Sequence, residues 1–293
     1  MKLYVSFSTN NDLKLTEAVE RIELCLTDLD KWMSINKLKL KKEKTELLLI
    51  HSKFRLQHCL PSICFGQDTV QPSQTARNIG VTFDSTMSML PHINTVCKSA
   101  FYHLRNLSRI KKFISTETAK TLVHAFISSK LDHCNSLLYN LPKYAVKKLQ
   151  YVQNAAARLI TFSPKFNHIT PTLKDLHWLP INERIKFKIL ILTFKALHDL
   201  SPSYIQELVS LYRPSRTLRS STSLRLNPTS YNLKSYGSRA FAVASPQLWS
   251  DLPEHIKNSE ISRLSKHDLK LINSRKFLYN FFVYELIFNF NFS

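Results

Sequence analysis

PHINTVCKSAFYHLRNLSRIKK, residues 91–112, decides how this chain is built. Ile93, Val96, Cys97, Ala100, Phe101 and Leu104 recur at spacings of three and four, which places them on one face of a helix. Lys98, Arg105, Arg109 and Lys112, spaced 7, 4 and 3 residues apart, share the opposite face. A row of cations along a helix matches a row of phosphates, and its binding would release condensed counterions. The other reading is a solvated helix face. Such faces normally mix signs, and here there are no acids four residues away to pair with.

The helical pattern continues on the C-terminal side. Ser115 is placed to cap STETAKTLVHAFISSKL. Pro142 suits the first position of PKYAVKKLQYVQNAAARLIT, with Val146, Leu149, Val152, Ala156 and Leu159 as its core face. Asn182 opens NERIKFKILILTFKALHDL, whose apolar stripe is wide enough to predict burial on most sides. Ser201 and Pro202 start a short fifth helix. From Tyr212 to Asp251 regularity falls away, with SLRL (223–226) as a possible short strand.

On the N-terminal side the pattern is mixed. LYVSFS (3–8) alternates as a half-buried strand does. Asn11 or Asp12 can cap a helix ending near Asn36, with Leu15, Val19, Ile22, Leu26, Leu29 and Met33 as its stripe. TELLLI (45–50), SICF (62–65) and NIGVTFD (78–84) are expected strands. Residues 1–85 thus predict a small α+β layer ahead of a mainly helical region.

The net charge of the 293 residues is +20, which attracts polyanions. Nucleic acid is the leading partner class and an anionic membrane surface the second. Residues 91–165 carry twelve Lys and Arg against Glu117 and Asp132 alone, half the excess in a quarter of the chain. A second basic stretch interleaves Arg213, Arg216, Arg219, Arg225 and Arg239 with Tyr212, Tyr231, Tyr236, Phe241 and Trp249. Arginine forks bind phosphate and rings stack on unpaired bases, although Phe241 and Trp249 equally suit a core. The FLYNFFVYELIFNFNF tail (277–292) is interrupted by polar residues and shorter than the roughly 20 residues a span requires. Five cysteines in a chain this long suit a reducing compartment, and MKLYVSF lacks the pattern of a signal peptide.

Three chemistries fit poorly. Gly66, Gly80 and Gly237 form neither a nucleophile elbow nor a phosphate loop. His51, His58, Cys59 and Cys64 have no common zinc spacing. Two-metal catalysis needs converging carboxylates, but Asp28 and Asp30 point to nearly opposite sides of a helix and no Asp-Asp doublet occurs.

A series of segments then resembles one family in order. LDKWMSINKLKLKKEKTELLLI (29–50) is similar to the segment after the catalytic hairpin in reverse transcriptases of non-LTR (LINE-type) retrotransposons, close to the jockey-like branch. ARNIGVTFDSTMSMLPHI (76–93), LDHCNSLLYNLP (131–142), KKLQYVQNAAARLIT (147–161), LHWLPINERIKFKILILTFKALH (176–198), LRSSTSLRL (218–226) and SYGSRAFAVASPQLWSDLPEHIK (235–257) follow in the family's sequence. The match extends over residues 1–265, and the tail after Ser265 departs from it.

The resemblance implies an α+β chain with a partial palm sheet at 1–88, a helical thumb at 89–210 and a C-terminal extension at 211–293. It makes LYVSFS the second arm of a hairpin whose Tyr-x-Asp-Asp turn is replaced by Met1-Lys2, so the expected product is a truncated RNA-directed DNA polymerase fragment without its catalytic aspartates. Alternatives are a helical interaction module or a product without a selected role. Lys44 matches an accessory lysine of the family, and Ile79-Gly80-Val81 a turn that grips the primer end. The expected nucleic-acid contacts are Gly80, Lys98, Arg105, Arg109, Lys111, Lys112, Lys147, Lys148, Arg158, Arg216 and Arg219. The implied partners are RNA or an RNA/DNA duplex bound without sequence preference, and a complete element-encoded polymerase. No membrane partner and no resident cofactor are expected, magnesium belonging to the complete enzyme. The expected location is intracellular, in cytoplasm or nucleus.

Overall fold

The structure is a computed structural model and describes residues 12–38, 45–51, 62–65, 68–212 and 224–257. The expected first strand, Lys44, Arg216, Arg219, His58, Cys59 and the 277–292 tail lie outside these residues. The chain divides into two compact units, Met1–His92 and Ile93–Ser293.

In the first unit, helix α1 (Asp12–Ile35) carries the expected stripe, with Val19, Ile22, Leu26, Leu29 and Met33 half-buried. It stops where the sequence places the stop. Lys37 adopts a left-handed φ of 57°, the Leu38 N–H donates to the Met33 carbonyl at 2.8 Å and the Lys37 N–H to that of Ser34 at 3.1 Å. That pattern closes the last helical carbonyls. Two separate antiparallel hairpins follow, where one sheet was expected. Strand β1 (Ile63–Phe65) pairs with β2 (Asp68–Val70), and β3 (Thr75–Asn78) pairs with β4 (Val81–Asp84). The Glu23 carboxylate accepts from the Cys64 N–H at 2.7 Å and ties α1 to β1.

Two strand expectations change. NIGVTFD is not one strand: Asn78 faces Val81 across a two-residue turn in which Ile79 and Gly80 have φ of 44° and 79°. TELLLI is not a strand either; Leu47 makes a single parallel bridge to Pro72. An apolar run becomes a strand only where another strand satisfies its backbone groups. Among the described residues this run has no such partner beyond that bridge.

The second unit is helical. Helix α2 (Leu90–Ile110), which begins in the first unit, buries Ile93, Ala100, Leu104 and Leu107. Phe101, expected on this face, is 43% exposed. A 3₁₀ turn, Lys111–Phe113, ends the run. Ser115 caps α3 (Thr116–Val123) as expected, its hydroxyl accepting from the Thr118 N–H at 3.1 Å. A π-turn, His124–Ser128, joins α3 to α4 (Ser129–Asp132). Helix α5 (Lys143–Thr161) buries Ala145, Leu149, Val152, Gln153, Ala156, Ala157 and Ile160. Val146 and Leu159, expected in that core face, are only half-buried. A short α6 (Ile169–Asp175), not foreseen, tolerates Pro171 in its first turn, where the missing N–H has no helical partner to lose.

Helix α7 (Ile181–Leu197) is the core, buried on most sides as its sequence implies. The Gln150 side chain accepts from the Ile181 N–H at 2.8 Å and Gln153 donates to the Leu179 carbonyl at 2.7 Å, which fixes α7 against α5. After α8 (Ser203–Gln206), SLRL contributes one bridge, Leu226 to Leu211. The stretch expected to be irregular, Tyr212 to Asp251, holds helices α9 (Lys234–Gly237) and α10 (Phe241–Ser250), and α11 (Glu254–Lys257) follows it. Pro246 inside α10 weakens its sequence signal. Helix α10 packs on α7 through a buried Thr193–Ser245 hydroxyl contact of 2.7 Å, and Trp249 and Leu226 join the α7 cluster.

Candidate nucleic-acid interface

Helix α2 turns its apolar face inward, so its opposite face is left to water. Lys98, Arg105 and Arg109 are exposed there. Lys112, also exposed, lies in the tighter 3₁₀ turn beyond the α-helix. The row from Lys98 to Lys112 runs about 20 Å at the helical rise. Among the described residues, none of these four has an acidic partner. The two acids of the segment are engaged elsewhere. Glu117 pairs with Lys120 at 2.8 Å, and Asp132 pairs at 2.6 Å with Arg184. Arg184 is only 4% exposed and also donates to the Leu179 carbonyl at 3.0 Å. Neither acid offsets the α2 row.

Helix α5 supplies the flanks. The Lys148 ammonium donates to the Asn94 side-chain oxygen at 2.9 Å, one helical turn before Lys98, so Lys148 joins the α2 row. Burial pushes the Cys97 thiol up, with Lys148 pulling the other way. Lys147 is exposed, its ammonium 5.7 Å from the Tyr151 ring centre. At the far end the Lys111 ammonium lies 3.2 Å from the centre of the Phe162 ring, and desolvation lowers its pKa. Contacts at Lys148 and Lys111 link the start of α2 to the start of α5 and the end of one to the end of the other, so the two run in the same direction. From α4, Lys130 bonds the Ser99 hydroxyl and the His103 ring at 3.1 Å. Desolvation and then the Lys130 charge hold His103 below its ordinary value, which favours the neutral ring able to accept that bond.

Arg158 differs from expectation. It is half-buried, its Nη2 donates to the Asn167 carbonyl at 3.2 Å, and its buried Nε has no hydrogen-bond partner. It pins the 162–168 loop to α5, which takes it out of the set of free surface cations. Gly80 occupies the tip of the β3–β4 hairpin in the first unit.

Of the rings in the second basic stretch, Tyr212 and Tyr231 are exposed as expected, and others are not. In the second basic stretch, Trp249 is buried and donates its indole N–H to the Leu224 carbonyl at 2.9 Å, and Phe241 packs on the same cluster. Arg239 donates to the Leu137 carbonyl at 3.3 Å. Further rings, those of Tyr102, Phe113, Tyr144, Tyr151, Phe162 and Phe166, stand exposed within the 91–166 segment. Their signal was available: FSPKF (162–166) sets two phenylalanines in a turn, where no helical stripe can bury them.

Among the described residues no cluster of His, Cys, Asp or Glu is placed to hold a metal, and no helix is long and apolar enough to cross a membrane. No family model, curated protein or solved structure matches the chain.

Proposed function

We propose that this chain is the C-terminal part of a non-LTR retrotransposon reverse transcriptase, and that its own activity is to hold nucleic acid without sequence preference. The two hairpins would be the remainder of the palm, and the helices from α2 to α7 the thumb lying along the template-primer duplex. The observation that carries the binding reading is the α2 row, whose four exposed cations lack acidic partners among the described residues. The family reading is supported by the ordered series of sequence segments. Taken this way, the chain does not polymerise by itself, because no Asp-Asp doublet is available to seat two metal ions. It would work in the cytoplasm or nucleus, where a template is found.

Binding of RNA and of an RNA/DNA duplex, measured across a salt series, tests the first part. Steep weakening with salt is expected, and affinity indifferent to salt would overturn it. Primer extension with the purified chain, alone and with a complete element polymerase, tests the second. Incorporation by the chain alone would refute the assignment.

A further inference from the structure

One end of the helical unit combines open rings with cations. Phe113, Phe162 and Phe166 are 86%, 68% and 93% exposed, values unusual for phenylalanine, which is normally buried. They lie at the C-terminal ends of α2 and α5. Phe113 closes the 3₁₀ turn that begins at Lys111, and the Lys111 ammonium lies on the Phe162 ring. Phe166 sits four residues on, in a loop whose next carbonyl, that of Asn167, is held by Arg158. The Thr161 and Ser163 hydroxyls, 2.8 Å apart, brace the start of that loop. The Lys165 ammonium is 6.0 Å from the Phe166 ring centre. The α2 row leads straight to this end through Arg109 and Lys112.

We propose that these three rings form a stacking platform for unpaired bases, so that the ligand held by the α2 row is single-stranded nucleic acid or carries a single-stranded end. This rests on the nucleic-acid reading above and adds to it which form is bound. Every base has a π-face, so stacking on phenylalanine is tolerant of sequence, and the adjacent cations are placed to meet the backbone phosphates. A lipid surface fits less well. Inserting the Phe162 ring into hydrocarbon would carry the Lys111 ammonium with it, and a charge is costly there. A base on the open side of the ring leaves that ammonium beside phosphate and water.

The test uses the full chain and four probes: an oligothymidylate or oligouridylate strand, an abasic strand of equal length, a blunt duplex, and phosphatidylserine vesicles. The base-bearing strand is expected to bind about tenfold more tightly than the abasic one. Phe113→Ala, Phe166→Ala and Phe162→Gly should each move that ratio toward one, the first two leaving abasic affinity and its salt dependence unchanged. Phe113→Trp should keep the ratio. Phe162 has φ of 56° at the end of α5, so glycine there relieves backbone strain and the variant folds. Equal affinity for base-bearing and abasic strands, or ring variants that lose only vesicle binding, would overturn the platform and leave the cation row standing. Failure to bind any strand would overturn both. The DNA and RNA arms tell which sugar is preferred.

Discussion

Replacing Lys98, Arg105, Arg109 and Lys112 together by alanine should flatten the salt dependence of duplex binding. On the proposed reading six exposed cations would contribute: these four, Lys147, and Lys148 held at Asn94. Each neutralised phosphate adds about −0.9 to the slope of log affinity against log salt, so six give a slope of about −5. Between 50 and 200 mM salt, affinity should then fall about a thousandfold. Removing four leaves two, a slope of about −2 and a loss of about tenfold over the same range. All four side chains are exposed and make no hydrogen bond or ion pair among the described residues, so the variant should melt like the parent. Fluorescence anisotropy of a labelled duplex across a salt series reads the slopes. A quadruple variant with the parental slope would show that the polyanion does not lie along α2.

Other perturbations probe the frame. Asp132→Ala leaves the Arg184 guanidinium buried without its carboxylate and should cost about 3 kcal/mol in urea unfolding, whereas the Asp132→Leu, Arg184→Met pair should recover most of it; equal stability of the single variant and the parent would contradict this. Burial pushes the Asp84 carboxyl up, but bonds from Thr86, Ser88 and Met89 outweigh it and hold the group below its ordinary value of 3.8. Its contribution is therefore complete above that ordinary value and disappears as pH drops through the lower folded one. Acid unfolding of the first unit should show this below about pH 4, and Asp84→Asn should remove it. Ile79→Asn places a residue suited to left-handed φ in the β3–β4 turn and should raise stability by about 1 kcal/mol, read as a higher thermal midpoint; an unchanged midpoint counts against strain there.

Much of the helical architecture was legible because helix formation is local. Apolar residues three and four apart, Ser115 as a cap and the breadth of the α7 stripe each say where a helix lies and how far it is buried. The α2 cations could be placed on the outer face for the same reason. The face of α5 was legible only to within one residue. Val146 and Ala145 both continue a period of 3.6, and only tertiary packing decides that the smaller one goes inside. The strand expected at TELLLI failed on the same principle, since periodicity describes one segment and a strand requires two.

The chain's own order of residues determined its helical content, its concentration of positive charge in 91–165 and its lack of paired aspartates, all of which are properties of neighbours in sequence. Tertiary structure alone decided that Lys148 joins Lys98 at Asn94, that Lys111 covers Phe162, and that Asp132 is taken up by Arg184. Those pairs are 51 to 54 residues apart, and no local pattern encodes which charges meet across such a distance. The physical reason is that helix periodicity sets only which face turns inward. What each outward side chain touches depends on which helix packing brings alongside.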